Sequence, residues 1–189
     1  FKLNVRTQEK VETITSEGTT FRIVAGPNTY RASRVLLALG RRGSPRKLNV
    51  PGEQLAKVSY RLLDAESYTR NHLLIVGGGD SAIEAAVGLA RQRGNEVTIS
   101  YRRDGFVRLK EKNDVRIREM VNRGEVRVLF NSGVMEIQEE MVLVREGEKI
   151  IHTLKNDLVF IFAGGELPAE FLKKIGVELR TAEVEAMVA

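Results

Sequence analysis

A chain of 189 residues, 42% hydrophobic and 29% charged, is long enough to bury a core as one ordinary domain or two small ones. It has no cysteine, which excludes disulfides, thiolate metal sites and any dithiol redox centre supplied by this segment, and its two histidines leave little for a histidine-based metal site or catalytic triad. The net charge of +5 is local rather than spread, with one cluster at Arg41, Arg42, Arg46 and Lys47 and another at Arg102, Arg103, Arg108, Lys110 and Lys112. Neither cluster is interleaved with aromatic residues, so no nucleic-acid partner is expected. No apolar run approaches eighteen residues and no charged-then-apolar leader is seen, so no membrane partner is expected and cytoplasm is the default location.

Residues 2–40 read as a β-meander: Lys2 to Arg6, Val11 to Thr15, a turn at Glu17-Gly18, Thr20 to Ala25, a turn at Gly26-Pro27-Asn28, then a strand from Tyr30 through the apolar run Val35 to Leu39, ending at Gly40. Arg41 to Glu53, with Pro45 and Pro51, is too irregular for an element and too basic to bury, and reads as a connector. Val58 to Asn71 leads onward, with a short helix expected from Asp64.

Leu73 to Val76 is an apolar, partly β-branched run of the kind a strand buried on both faces requires, and it stops at three glycines. A helix follows, with Asp80 or Ser81 as cap, Gly94 as terminator, and Ile83, Ala86, Val87 and Ala90 on one face. Glu96 to Ser100 is the next strand. Strand, glycine turn, helix and strand within about thirty residues form the dinucleotide-binding arrangement, and Gly77, Gly79 and Ala82 fill its G-x-G-x-x-A positions. Gly77 allows the tight turn, Gly79 lets a pyrophosphate approach the backbone, and Ala82 lets the helix pack close to the sheet. Free N–H groups at the helix start, from Gly78 through Asp80 and Ser81, then hold the phosphates. An NAD site carries an acidic residue at the end of the second strand. Here Tyr101, Arg102 and Arg103 stand there with Arg108 beyond, and guanidinium forks suit the 2′-phosphate of NADP.

Lys110 to Arg123 is expected as a helix with Val115, Ile117, Met120 and Val121 as its apolar residues, ended by Gly124. Val126 to Phe130 is a strand, and a second meander follows at Val134 to Ile137, Met141 to Arg145, Lys149 to Leu154 and Leu158 to Phe162, ending at Ala163-Gly164-Gly165 with Pro168 behind. The two meanders read as copies, Val11-Glu-Thr-Ile14 matching Val134-Met-Glu-Ile137 and Val35 to Gly40 matching Val159 to Gly164. The offset between Gly40 and Gly164 places the counterpart of the Gly77 turn upstream of Phe1, so a second nucleotide site would lack its phosphate loop.

These motifs resemble those of the thioredoxin-reductase-like flavoproteins, a branch of the pyridine nucleotide oxidoreductases. Val35 to Glu53 resembles the strand closing the family's flavin domain and the crossover after it. Gly77-Gly-Gly-Asp-Ser-Ala82 and Tyr101-Arg-Arg-Asp-Gly-Phe106 resemble its NADPH turn and 2′-phosphate arginines, and Ala163-Gly-Gly165 the segment near the nicotinamide. The resemblance implies an α/β fold with a Rossmann-like NAD(P)-binding domain, a parallel sheet with helices plus a β-meander, preceded by strands of a truncated FAD domain. The implied division is residues 1–55 as the tail of the first FAD half, 56–166 as the NADPH domain and 167–189 as the start of the return. Implied site residues are Gly77, Gly78, Gly79, Asp80, Ser81, Ala82, Tyr101, Arg102, Arg103, Arg108, Gly164, Gly165 and Gly40, with NADPH as cofactor and FAD in the full-length protein. Val58-Ser-Tyr60 resembles the lead-in to the family's Cys-x-x-Cys, but Arg61-Leu-Leu63-Asp64 follows and no cysteine. Val107 is inserted before Arg108 relative to the family spacing.

The resemblance therefore implies a flavin-dependent oxidoreductase that takes hydride from NADPH and passes electrons to a ferredoxin, an iron–sulfur module or a small disulfide; a homodimer is left open. The alternatives are a non-catalytic NADP(H)-binding or sensing module, and a thioredoxin-reductase-type enzyme with its thiols elsewhere. No catalytic residue and no metal site is expected.

Overall fold

A computed structural model describes residues 4–39, 44–107, 109–166 and 169–177. The chain divides into two compact units, Phe1–Ser44 with Glu166–Ala189, and Pro45–Gly165.

In the first unit β1 (Val11–Glu17), β2 (Thr20–Ala25) and β3 (Asn28–Ala32) form an antiparallel meander in the order β1-β2-β3. Both connections are two residues long and begin with a glycine at positive φ, Gly18 and Gly26, as tight hairpins require. The strand expected from Tyr30 is found only as far as Ala32, in β3, and of the strand expected at Lys2 to Arg6 the described part forms none. Residues 4–6 are irregular, and the run Val35 to Leu39 has no regular structure, with Leu36 91% exposed. An apolar strand of that kind needs a neighbour on each side and cover on both faces, and the described residues of this unit supply neither. Lys2, Leu3 and Gly40 lie outside the described residues.

The chain passes into the second unit through β4 (Ser44–Pro45). There β5 (Val58–Ser59), β6 (His72–Val76), β7 (Glu96–Ser100), β8 (Val126–Leu129) and β12 (Leu158–Ile161) form a parallel sheet in the order β5-β12-β6-β7-β8. Helices α1 (Asp80–Ala90) and α2 (Glu111–Asn122) pack on one face, and an antiparallel meander of β9 (Ser132–Ile137), β10 (Met141–Glu146) and β11 (Ile150–Lys155) packs on the other. The period of two along β6 decides which residue goes where. Leu73 and Ile75 join the helix-side core with Ile83, Leu89, Ile99, Ile117 and Phe160, while Leu74 and Val76 join Val142, Val144, Val159 and Ile161 on the meander side. The chain leaves through β13 (Gly165–Glu166) toward the short helix α3 (Ala169–Lys174).

The fold is thus α/β, with the Rossmann-like parallel sheet, helices and meander that the sequence implies. Three local expectations are corrected. The connector, read as too basic to bury, is partly buried: Leu48 and Val50, with Leu55 just after it, pack against the meander-side core, and the N–H of Ile137 donates to Pro51 O at 2.9 Å. No helix begins at Asp64, because its carboxylate accepts from Glu66 N and Ser67 Oγ, which satisfies the backbone locally and leaves a single turn before Arg70 at φ 59. In α2 the buried stripe is Asn113, Ile117 and Met120, spaced i, i+4, i+7; Val115 and Val121 fall outside it and are exposed.

Gly52 fixes the connector. It sits at φ 81, and a Cβ there would overlap the carbonyl of Ile137. Backbone cannot yield as a side chain does, so Gly52→Ala lowers unfolding free energy by at least about 2 kcal/mol in urea titration.

Beside it, Glu53 accepts from Leu48 N and Tyr60 Oη through Oε1 and from Asn49 N through Oε2, each at 2.7 Å. Burial pushes the Glu53 carboxyl up, but these donors together outweigh it and hold the group below its ordinary value of 4.5. Burial and then the Glu53 hydrogen bond push the Tyr60 phenol from 10.0 to about 12. A depressed carboxylate contributes stability that is complete above pH 4.5 and is lost as pH falls through its folded value. A raised phenol contributes stability that is complete below pH 10 and is lost as pH rises toward 12. Urea titrations at pH 7, 4 and 3 therefore show a steeper acid loss for the wild type than for Glu53→Gln; parallel curves would contradict this.

Candidate functional site

The glycine turn lies where the order of strands in the parallel sheet reverses. From β6 the chain runs through α1 to β7 on one side, while β12 reaches the other side of β6 from the distant meander, so the crevice beyond the carboxyl ends of β6 and β12 is a topological switch point. Phe162 N donates to Val76 O at 2.7 Å and Gly77 N to Ser100 O at 3.0 Å, which draws the ends of all three strands together.

The glycines there do different work. Gly77 is at φ 139, and a Cβ on it would lie 2.5 Å from the Phe162 carbonyl oxygen and 3.3 Å from the Ala82 methyl, so close backbone approach excludes any side chain. Gly78 is buried under Tyr101, whose ring carbons would lie 2.5 Å from an added Cβ. Gly79 is exposed, and nothing lies within 4 Å of where its Cβ would stand. It is also the N-cap of α1, with φ −93° and ψ 175°, and no side chain caps the helix. Ala82 is fully buried against the sheet. The result is a cradle of unobstructed backbone at a helix start, the feature an anionic phosphate needs.

The expected cap is corrected here. Asp80 and Ser81 are the first two helical residues, and Ser81 is exposed. The Asp80 carboxylate turns away to α2, where Oδ1 accepts from Asn113 Nδ2 at 2.7 Å and from Lys110 N at 3.0 Å. The Asn113 hydrogen bond first and the Lys110 N–H second hold its pKa below the ordinary aspartate value. Asn113 Nδ2 also reaches Glu84 Oε1 at 3.1 Å.

Tyr101 leaves β7 beside this turn. Its backbone is pinned on both sides, N donating to Leu129 O at 2.9 Å and O accepting from Ser132 N at 2.9 Å. The buried Ser132 hydroxyl also lies 2.8 Å from Ser100 Oγ. The ring stacks on Phe106 with centroids 5.9 Å apart, and Phe106 meets Phe130 edge-on at 5.1 Å. Arg102 is exposed and Arg103 half-buried, the carbonyl of Arg103 accepting from Asn131 N at 2.8 Å. Ala163 to Gly165 leave β12 next to the Gly77 turn; Gly164, at φ 88, accepts from Arg46 N at 3.0 Å, and Gly164 and Gly165 are exposed. Arg108 and Gly40 lie outside the described residues. The described candidates of the second unit thus lie at the carboxyl end of the sheet.

The sequence reading missed Asn113, Ser132 and Phe130. Asn113 carried a signal, since it stands in phase with Ile117 and Met120, where an apolar residue is the norm. The histidines are tied elsewhere: His72 Nδ1 lies 3.0 Å from Asp157 and His152 Nε2 2.7 Å from Glu146. Among the described residues no group of three His, Cys, Asp or Glu could hold a metal ion, and no helix is long and apolar enough to cross a membrane.

A parallel sheet whose central strand ends in a glycine cradle before an uncapped helix is the architecture of dinucleotide-binding α/β units. The chain belongs to the pyridine nucleotide-disulphide oxidoreductase family, which matches residues 1–187. It is 33% identical to bacilliredoxin reductase Bdr of Bacillus subtilis over 165 residues, 87% of this chain and 51% of that protein. It is 32% identical to the ferredoxin–NADP reductase of Ignicoccus hospitalis over 195 residues, 97% of this chain and 61% of the relative. Its fold matches the bacillithiol disulfide reductase Bdr of Staphylococcus aureus with a TM-score of 0.87 at 31% identity, covering 95% of this chain and 55% of that one. The chain therefore spans between 51% and 61% of the length of these proteins.

The different surroundings of Gly77 and Gly79 separate by mutation. Gly77→Ala costs more than about 2 kcal/mol, whereas Gly79→Ala changes stability by less than about 1 kcal/mol, because its backbone suits any residue and nothing lies within 4 Å of the added methyl, when thermal unfolding of the two variants is compared.

Proposed function

We propose that this segment is the NADPH-binding portion of a flavin-dependent oxidoreductase that passes electrons to an acceptor other than an internal dithiol. The observation that carries this reading is the side-chain-free, uncapped start of α1 at Gly79, set at the switch point of the sheet. When bound, the reduced nicotinamide supplies a hydride and FAD accepts it; the cofactors hold the redox chemistry and the protein holds them in position.

The backbone N–H groups of Gly79, Asp80 and Ser81 bind the pyrophosphate, aided by the positive end of the helix dipole. Gly78 admits the Tyr101 ring, which walls one side of the cradle. Arg102 and Arg103, at the end of β7, bind the 2′-phosphate, where an NAD site would present a carboxylate to the ribose hydroxyls. Gly164 and Gly165 leave the nicotinamide side of the crevice free of side chains. Among the described residues none is assigned to the flavin, and no proton donor or base is needed for hydride transfer.

Two observations support the reading of the acceptor. The chain contains no cysteine, and the names of its relatives, ferredoxin–NADP reductase and bacillithiol disulfide reductase, support an acceptor of the ferredoxin or small-disulfide class.

Calorimetric titration of the full-length protein tests the assignment. NADPH binds more tightly than NADH, and Arg102→Ala removes about 10- to 100-fold of that preference, the worth of a charge-assisted pair. Gly79→Ala weakens both cofactors by more than about tenfold through the methyl group it places in the phosphate's path. Equal affinity of the wild type for the two cofactors would overturn the 2′-phosphate assignment, and a full-length protein without bound flavin would exclude the hydride-transfer reading.

A further inference from the structure

We propose that Asn113 is a positioning residue for the phosphate cradle: it holds the Asp80 carboxylate away from the start of α1 and so keeps the first-turn N–H groups open for an anion. The inference rests on the nucleotide-binding reading above and deepens it.

Asp80 stands in the first turn of α1, where the N–H groups lack helical partners and the helix dipole draws a carboxylate toward them. An Asp80 side chain folded over the first turn would take the donors a phosphate needs and set a negative charge in its place. Instead, Asp80 Oδ1 takes Asn113 Nδ2 at 2.7 Å and Lys110 N at 3.0 Å, and no side chain caps α1. Asn113 is 6% exposed and interrupts the apolar stripe of α2. Burying an amide is unfavourable unless its hydrogen bonds are made, and here the same Nδ2 also meets Glu84 Oε1 at 3.1 Å, one turn further along α1. A neutral double donor suits this place: a leucine would release Asp80, and a carboxylate would repel both acidic partners.

The test is a double-mutant cycle in the full-length protein, read by calorimetry with NADP⁺. Asn113→Ala weakens binding by about tenfold, and the KM for NADPH rises with it, whereas the same substitution in an Asp80→Ala background, which keeps the backbone N–H, changes affinity by less than about twofold. An equal loss in both backgrounds would assign Asn113 to helix packing alone and overturn the proposal, as would no loss in the Asp80 background. If Asn113→Ala folds poorly, Asn113→Leu, which loses the donor, carries no charge and keeps a similar volume, is read in the same cycle. A wild type that does not bind NADP⁺ overturns the nucleotide-binding reading itself, and this inference with it.

Discussion

Burial of β6 on both faces is the constraint from which the second unit follows. Four of its five residues are buried, and Leu74 and Ile75, which point in opposite directions, are 1% and 0% exposed. A strand in that position has no face left for water, so one side requires helices and the other requires a second layer, here the meander with Leu48 and Val50 of the connector. Once both faces are closed, the strand ends are the remaining approach to its backbone. The carboxyl end is where α1 starts, with no side chain capping its first turn, and that is the place of the proposed nucleotide.

That edge carries an electrostatic tension. The helix start and the arginines after β7 favour an anion, yet the first residue of α1 is an aspartate. The carboxylate is retained near the dipole, which favours it, and is spent on α2 through the Asn113 amide and the Lys110 N–H rather than on its own helix. One pair of hydrogen bonds therefore joins two helices and leaves a cradle vacant of side chains. Tyr101 plays the complementary part on the other wall, since its ring can lie over Gly78 only because Gly78 has no Cβ.

The sequence made the second unit readable where local chemistry and tertiary need agree. The apolar run from Leu73 and the three glycines after it each specify one conformation, and each is found. Readings failed where the partner was distant in sequence. Val35 to Leu39 has the composition of a buried strand, but a strand exists through its neighbours, and none of the described segments pairs with it. Asp80 has the composition of a cap, but Lys110 and Asn113, thirty or more residues later, compete for it and win. Asp64 shows the reverse case: its own next residues satisfied the backbone before a helix could start.

The connector shows how a segment without regular structure can still be rigid. Glu53 gathers Leu48 N, Asn49 N and Tyr60 Oη, and Gly52 sits so close to Ile137 that the loop is held against β9. Seven residues before Glu53, Arg46 N donates to Gly164 O. The loop that leaves β12 beside the glycine cradle is thus tied, through a short stretch of backbone, to a carboxylate clasp on the opposite face of the sheet. Gly164 has no side chain to anchor it and stands at positive φ, so this backbone tie sets where its peptide lies. A glycine pair can keep an approach clear of side chains and still be well placed only if something else fixes the backbone, and residues 46 to 53 supply that restraint.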